Sequence, residues 1–249
     1  MLKGLYIASS SMLAKQHQLA IISNNLANAS TAGFKRDEGI EQSFPEVLIS
    51  RIEEGRKAGD IGSMSTGVSL EETYTDFRQG YLKHTGNKLD VALEGDGFFV
   101  IETPAGLRYT RNGNFTLNQQ GQIVTQQGYP VRGERGPLQT ITGREIKIDG
   151  NGRLHLGNLR GDRFLIVDFP DKSQLEKIGD NLYSSRTAGE QLTAGYRLRQ
   201  GYLESSNVKT LQEMVRMIEV NRIFEANQKV IKSLDSTLDK AVNSVGRVG

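Results

Sequence analysis

The sequence of 249 residues contains no cysteine and no tryptophan, and it has only five prolines and three histidines. The lack of cysteine excludes disulfide bonds, thiolate metal sites and cysteine nucleophiles. No segment approaches the run of ~20 apolar residues that a membrane-spanning helix needs. The first apolar stretch, residues 2–8, is too short for a secretory signal and is interrupted by Lys3 and Gly4. We therefore expect no cleaved signal of that kind.

The composition indicates a turn-rich chain with a modest core. Hydrophobic residues make up 37% and aromatic residues 7%, both low for a single compact domain of this length, and there are 28 glycines. The net charge of +2 gives no overall case for a nucleic-acid partner. Residues 1–36 carry four bases and no acid. A transit peptide or an in-plane membrane helix could explain that excess, but Arg36 is the only arginine of residues 1–36, and no Trp or Phe precedes Phe34.

The N-terminal segment has a coiled-coil pattern. An interval of seven residues relates Leu5, Met12, Leu19 and Leu26. Gly33 is the residue type that commonly follows a helix end, because it adopts a left-handed conformation without steric cost. Polar residues ahead of it can satisfy the backbone groups of a turn. The sequence therefore predicts a helix, a turn, and an apolar anchor at Phe34.

The C-terminal segment has a longer pattern of the same kind. One heptad position is occupied by Met217, Phe224, Ile231, Leu238 and Val245. The partner position, three residues later, is occupied by Val220, Asn227, Leu234 and Ala241. A polar asparagine in an apolar seam commonly fixes register. Because a hairpin of the two terminal helices would leave further apolar side chains uncovered, the pattern predicts an assembly interface.

The middle of the chain changes to short runs broken by turn signals. Eight candidate strands lie at residues 89–93, 98–102, 108–110, 114–117, 123–125, 145–148, 154–156 and 164–169. The Asn112-Gly113 step between two of them is a strong hairpin signal. The predicted fold class is α+β, with coiled-coil-forming terminal helices flanking a mostly antiparallel β domain. The predicted domains are 1–34 (helix and turn), 35–72 (irregular connector), 73–202 (β-rich outer domain) and 203–249 (C-terminal helix).

The connector is expected to contain a short helix over residues 44–51 and an exposed loop over 53–67. No site for chemistry is predicted anywhere in the chain, so we expect no enzyme, no cofactor and no metal. Asp149-Gly150-Asn151-Gly152 begins like a calcium loop, but Arg153 stands where the third oxygen ligand should be. No two of the histidines have metal-ligand spacing.

Four motifs together resemble bacterial flagellar axial proteins of the rod and hook family. These are NNLANASTAGFK at residues 24–35, LDVALEGDGFF at 89–99, YTRNGNF at 109–115 and GYLESSNV at 201–208. Two segments of the last helix, EMV at 213–215 and NRIFEAN at 221–227, are also similar to the family. The start, MLKGLY, resembles rod and hook-basal-body proteins of Gram-positive bacteria, and the motifs leave proximal and distal rod classes open. The likeness covers both ends and the centre in order.

The resemblance implies a structural rod subunit of the basal body that forms a helical tube, transmits torque and surrounds the export channel. It implies export by the flagellar type III apparatus, and partners among copies of the chain and other axial proteins, without nucleic acid or membrane insertion. The implied assembly seam comprises Leu5, Met12, Leu19, Leu26, Met217, Phe224, Ile231, Leu234 and Leu238. The implied turn motif comprises Asn25, Asn28, Thr31, Gly33 and Phe34.

Two other classes of function compete with this interpretation. A cell-wall-active enzyme could use the carboxylates of Asp90, Glu94 and Asp96 as its acid and base. A stand-alone soluble β-binding module would use its terminal helices as ordinary core helices. The sequence favours the structural subunit, because those carboxylates are also the residue types of turns and surfaces.

Overall fold

A computed structural model describes residues 2–53, 56–65, 67–141, 144–157, 159–187, 189–240 and 242–243. The chain divides into two compact units, and each draws on separated parts of the sequence. Unit 1 contains residues 1–27, 37–74 and 209–249, and unit 2 contains residues 28–36 and 75–208. The fold is α+β, with mostly antiparallel strands and one long helix near each end, as the sequence predicts.

Unit 1 pairs the two long helices. Helix α1 spans Leu2–Ala27 and helix α2 spans Thr210–Lys240. They pack against each other: a Cβ built on Gly4 would lie 3.6 Å from Leu234 Cδ1, and Asn227 Nδ2 donates to Ser11 Oγ at 2.9 Å. A glycine and a serine on α1 allow this close approach, because neither carries a bulky side chain.

Four strands complete unit 1. They are β1 (Asp37–Ser43), β2 (Glu46–Glu53), β3 (Arg56–Ser65) and β4 (Val68–Thr75). Strand β1 lies beside β4, while β2 and β3 form an antiparallel hairpin. The predicted short helix at 44–51 is therefore wrong, and the predicted loop at 53–67 is largely the strand β3. Val47, Ile49 and Ile52 are of residue types that favour an extended chain.

Unit 2 contains fifteen strands among the described residues. They are β5 (Leu82–His84), β6 (Val91–Gly95), β7 (Phe98–Thr103), β8 (Gly106–Thr110), β9 (Phe115–Leu117), β10 (Ile123–Thr125), β11 (Ile146–Ile148), β12 (Arg153–Leu156), β13 (Leu159–Arg163), β14 (Ile166–Asp168), β15 (Leu175–Gly179), β16 (Leu182–Ser185), β17 (Glu190–Gln191), β18 (Tyr196–Gln200) and β19 (Tyr202–Glu204). A 3₁₀ turn at Lys172–Gln174 precedes β15. The largest sheet has the order β15-β16-β8-β7-β14-β17.

Strand β7 separates two parts of the core of unit 2. The first two residues of this strand, Phe98 and Phe99, are both fully buried, and they belong to different apolar clusters. Phe99 packs edge to face with Phe115 at 5.2 Å between ring centroids, whereas Phe98 packs against Phe77 at 5.6 Å. Successive side chains of a strand point to opposite faces. The two phenylalanines therefore bury both faces of this strand.

The Asn112-Gly113 step does not form the expected hairpin. Strand β8 pairs with β7 and β16, and β9 pairs with β10. Gly113 instead lies where a Cβ would come within 1.7 Å of the Val91 carbonyl oxygen, and Val91 N donates to Gly113 O at 3.0 Å. Close approach of two backbones, rather than a tight turn, requires the glycine here.

Candidate functional site

The predicted turn motif begins at the end of α1, in unit 1. The helix ends at Ala27, six residues before Gly33. Asn25 is buried, and its side chain bonds the backbone of Asp37 twice: Nδ2 donates to the carbonyl oxygen at 2.7 Å, and Oδ1 accepts from the amide at 2.9 Å. Asn25 therefore holds the start of β1 against the last turn of the helix.

Residues 28–36 belong to unit 2 and begin with a compact turn. Thr31 N donates to Asn28 O at 3.1 Å, and the Thr31 hydroxyl lies 3.3 Å from Asn28 Oδ1. Phe34 is buried, and the Lys177 ammonium lies 4.2 Å from its ring centroid. Asn181 Nδ2 donates to Ala32 O at 3.2 Å. These contacts fix the segment on the rest of unit 2, which we also call the β unit.

Gly33 has the positive φ predicted for it, but it does not cap the helix. Its φ is 68°, and a Cβ there would lie 2.5 Å from the backbone of Arg111 and Asn112. Its amide donates to the carbonyl oxygen of Glu204 at 2.8 Å. Because residue 33 is a glycine, the segment can pass close to Arg111, just after the end of β8. Its hydrogen bond to Glu204 holds the segment against β19.

A buried ion cluster, formed by Lys35, Arg111 and Glu204, anchors this segment. The side chains of Lys35, Arg111 and Glu204 are 1%, 3% and 0% exposed. Lys35 Nζ donates to Glu204 Oε1 at 2.6 Å and to Arg78 O at 2.8 Å. Arg111 Nη1 lies 3.6 Å from Glu204 Oε2. One carboxylate therefore serves two buried cations.

The surroundings of the cluster tie it to three further parts of unit 2. Gly80 N donates to Glu204 Oε1 at 2.9 Å, and Arg111 Nη2 donates to Gly95 O at 2.8 Å. The Arg111 guanidinium also lies 5.4 Å from the centroid of the Phe98 ring. The cluster thus joins residues that stand in the first, central and last motifs of the sequence.

Burial dominates the electrostatics of the cluster. It lowers the pKa of the Lys35 amine below its ordinary value, although the charge of Glu204 raises it. Burial likewise lowers the pKa of the Arg111 guanidinium, again against the effect of Glu204. Desolvation disfavours charged forms, so the cluster is stable only because its charges are paired. All three residues lie within sequence motifs, but no local pattern predicts a role for any of them.

The predicted seam residues all lie on α1 or α2 and are half-buried. On α1 these are Leu5, Met12, Leu19 and Leu26, and on α2 they are Met217, Phe224, Ile231, Leu234 and Leu238. Between them on α2 the intervening positions are mostly exposed, whereas Val220 is buried. Two further predicted seam positions, Ala241 and Val245, lie outside the described residues.

A second apolar stripe on α2 faces away from the half-buried one. Leu211, Val215 and Ile218 follow one another at intervals of four and three residues, so they share one helix face. They are 76%, 49% and 60% exposed. Met214 extends this face and is 46% exposed. Contiguous exposed apolar side chains mark interaction surfaces.

The carboxylates proposed for an enzyme are each engaged in the structure. Asp90 is buried and accepts from Asn87 Nδ2 at 3.1 Å, Glu94 binds Arg199 at 2.7 Å, and Asp96 binds Lys172 at 2.6 Å. Lys172 lowers the pKa of Asp96. These pairings favour structural roles for all three side chains.

The Asp149–Gly152 segment does not have the arrangement of a calcium loop. Asp149 Oδ1 accepts from the amides of Asn151 and Arg153, as in a plain turn. In the part of the chain that the structure describes, no three His, Asp or Glu side chains gather as metal ligands. Neither helix, over its described length, is apolar enough to cross a bilayer.

Comparison with known proteins finds three family matches in chain order. Residues 5–35 match "flagella basal body rod protein", residues 92–156 match "flagellar hook protein FlgE/F/G D1 domain", and residues 199–244 match "flagellar basal body rod FlgEFG protein C-terminal". The buried cluster residues Lys35, Arg111 and Glu204 fall one in each match.

Individual relatives resemble the whole chain. The flagellar hook-basal body complex protein FlhO of Bacillus subtilis is 36% identical, with 100% of both chains covered. The flagellar basal-body rod protein FlgF of Caulobacter vibrioides is 35% identical over 99% of this chain and 98% of its own. The rod protein FlgG of Buchnera aphidicola subsp. Schizaphis graminum is 34% identical over 96% and 98%. With its full length matched at these identities, the chain belongs to the family of flagellar basal-body rod and hook proteins.

Proposed function

We propose that this chain is a structural subunit of the flagellar basal-body rod, which assembles into a helical tube around the export channel and transmits torque. The three family matches in chain order and the full-length relatives support a structural rather than an enzymatic role. The proposed location is the basal body, outside the cytoplasmic membrane, after flagellar export. Its proposed partners are further copies of the chain, other axial proteins and the export apparatus.

The observation that carries the assembly proposal is the pair of opposed apolar faces on α2. The half-buried face contacts α1 through Leu234 and Asn227. The opposite face, with Leu211, Val215 and Ile218, has no cover within the described unit. A helix that is apolar on both sides normally packs on both sides. We assign the covered face to the helix pair of one subunit and the open face to its neighbours.

The predicted seam then has a role inside the subunit as well as between subunits. Met217, Phe224, Ile231, Leu234 and Leu238 would contribute one coiled-coil strand, and Leu5, Met12, Leu19 and Leu26 the other. The Ser11–Asn227 hydrogen bond supports a role for Asn227 in fixing the register of the two helices. The turn motif (Asn25, Asn28, Thr31, Gly33 and Phe34) would direct the chain out of the helical layer.

Replacing Ile218 by Asp tests the assembly proposal. We expect at least a tenfold loss of polymer formed by the purified chain, because an added charge would have to be buried without a partner. Sedimentation and electron microscopy of the assembled product measure this, and swimming of cells that carry only the variant provides a second readout. The melting temperature of the β unit should not change, since Ile218 lies in the other unit.

Gln228→Asp is the matched control. It places the same charge at an exposed position of α2 outside the open face. Assembly and swimming should match those of the parent chain. Normal assembly of the Ile218→Asp chain would contradict the proposed interface, and an equal loss in both variants would show that added charge alone disturbs assembly.

A further inference from the structure

The sheet formed by β11, β12 and β13 concentrates positive charge. Its 12 residues carry four cations (Lys147, Arg153, Arg160 and Arg163) and one carboxylate, so its charge is +3 with His155 neutral. The whole chain has a net charge of only +2. We refer to these three strands as the basic sheet. The three strands are therefore basic, although the overall charge of the chain is near zero.

The strand register aligns these charges in two rows. Lys147 lies opposite His155, which lies opposite Arg160, and Arg153 lies opposite Arg163. Residues directly opposite one another share a face, and neighbouring strands lie ~4.8 Å apart. The alternate residues Ile148, Leu154 and Leu156 are buried. The other face of the sheet thus belongs to the core, and the basic residues occupy the outer face.

Carboxylates from outside the sheet pair with three of its five basic side chains. Lys147 lies 3.6 Å from Glu145, Arg163 lies 3.5 Å from Glu134, and His155 lies 3.2 Å from Asp149. Asp162, the one acid of the sheet, accepts from the amide of Arg135 at 3.0 Å. Among the described residues, neither the Arg153 nor the Arg160 side chain forms an ion pair.

Like charges directly opposite each other destabilise a sheet, so this arrangement needs an explanation. Charged residues often protect the edge strands of a sheet from pairing with other chains. Edge protection can explain Lys147 and Arg160, because they lie on the two outer strands of the sheet. It does not apply to Arg153, because β12 is the central strand and is paired on both sides.

We propose that the outer face of the basic sheet binds a linear polyanion with repeated phosphate groups. The cations are spread over three strands rather than gathered at one point, which suits a chain of charges better than a single small anion. Arginine offers a planar fork of donors that matches two phosphate oxygens, and lysine adds a point charge. The two rows are two residues apart on β12 and, because the register shifts, three apart on β13, so successive cations can meet successive phosphates.

Fluorescence anisotropy of the full chain with labelled inorganic polyphosphate tests this proposal. In the double variant Arg153→Gln/Arg160→Gln we expect at least tenfold weaker binding. Each cation that pairs with a phosphate releases counterions, so the slope of log K against log salt should decrease in magnitude by about 1.4 for two lost contacts. Both arginines are at the surface, and circular dichroism should show an unchanged fold.

The matched control is Lys83→Gln/Arg186→Gln, which removes the same charge from exposed positions outside the basic sheet. Its affinity should stay within twofold of the parent chain. Equal losses in the two double variants would overturn the proposal, because they would indicate only a response to net charge. It would also be overturned by undetectable polyphosphate binding to the parent chain at low salt, or by equally tight binding of polyglutamate, which would indicate an acidic protein as the partner.

Discussion

Substituting Glu204 by Ala is expected to destabilise the β unit by about 3–5 kcal/mol, because it leaves two buried cations without a carboxylate. Lys35 and Arg111 are 1% and 3% exposed, so water cannot replace the lost partner. The change would also remove the acceptor that Oε1 provides for Gly80 N. Each kcal/mol lowers the melting temperature of a unit of this size by about 2–4 °C, so a decrease of about 6–20 °C is expected.

Thermal unfolding followed by circular dichroism measures this effect. Glu176→Ala serves as the control, since Glu176 pairs with Arg186 at the surface and both side chains are more than half exposed. Exposed ion pairs contribute little, so the control should melt within about 2 °C of the parent chain. If Glu204→Ala also melted within that range, the cluster would not hold the 28–36 segment as we describe.

The Lys35→Met/Glu204→Leu double variant separates the cost of broken pairing from the value of the pair. Replacing an ion pair by apolar groups of similar size is often neutral or stabilising, whereas breaking it is not. Arg111 would still be buried without its carboxylate, although it keeps its bonds to Gly95 and Leu93. We therefore expect the double variant to be destabilised by an amount comparable to Glu204→Ala and no more than that.

Substituting Gly33 by Val is the second change with a large expected effect. A positive φ costs a residue with a Cβ about 1–2 kcal/mol, and crowding against fixed neighbours adds about 1–3 kcal/mol. The neighbours here are backbone atoms of Arg111 and Asn112 at 2.5 Å, which cannot rotate away. We expect a loss of about 2–5 kcal/mol in the urea-induced unfolding free energy and a loss of assembly.

Gly128→Val provides a control with the same backbone requirement and no clash. Gly128 has a φ of 88°, and a Cβ there would meet nothing within 4 Å. The difference between the two variants therefore isolates the close approach at Gly33. Equal losses would show that conformation alone explains the need for glycine, and an unaffected Gly33→Val chain would show that the turn does not require it.

Local patterns in the sequence predicted much of this fold. The heptads predicted both helices, and turn residues with short apolar runs predicted β6 to β12 to within a few residues. Gly33 was expected to have a left-handed conformation, and it does. The reason given for it was wrong, because the partner that crowds Gly33 lies 78 residues further along the chain.

Features that depend on distant partners were missed. Asn112-Gly113 makes no hairpin because β8 and β9 each have other partners. The helix predicted at residues 44–51 was wrong for a local reason, since the strand there pairs with the adjacent strand β3. Lys35 and Glu204 are 169 residues apart, and nothing in the local sequence shows that they meet. The position of Lys35, Arg111 and Glu204 in three separate motifs was the available signal, but a charged residue in a motif is usually expected at the surface.

The pairing of β5 with β19 and of β6 with β18 has a consequence for how the chain acquires its structure. Both ladders join partners more than a hundred residues apart, and the 28–36 segment must also find Glu204. Such separations slow folding, because loop entropy is lost before the contacts form. A chain that is only partly synthesised or partly threaded through a narrow passage lacks the closing strands. It would remain open until residue 204 emerged.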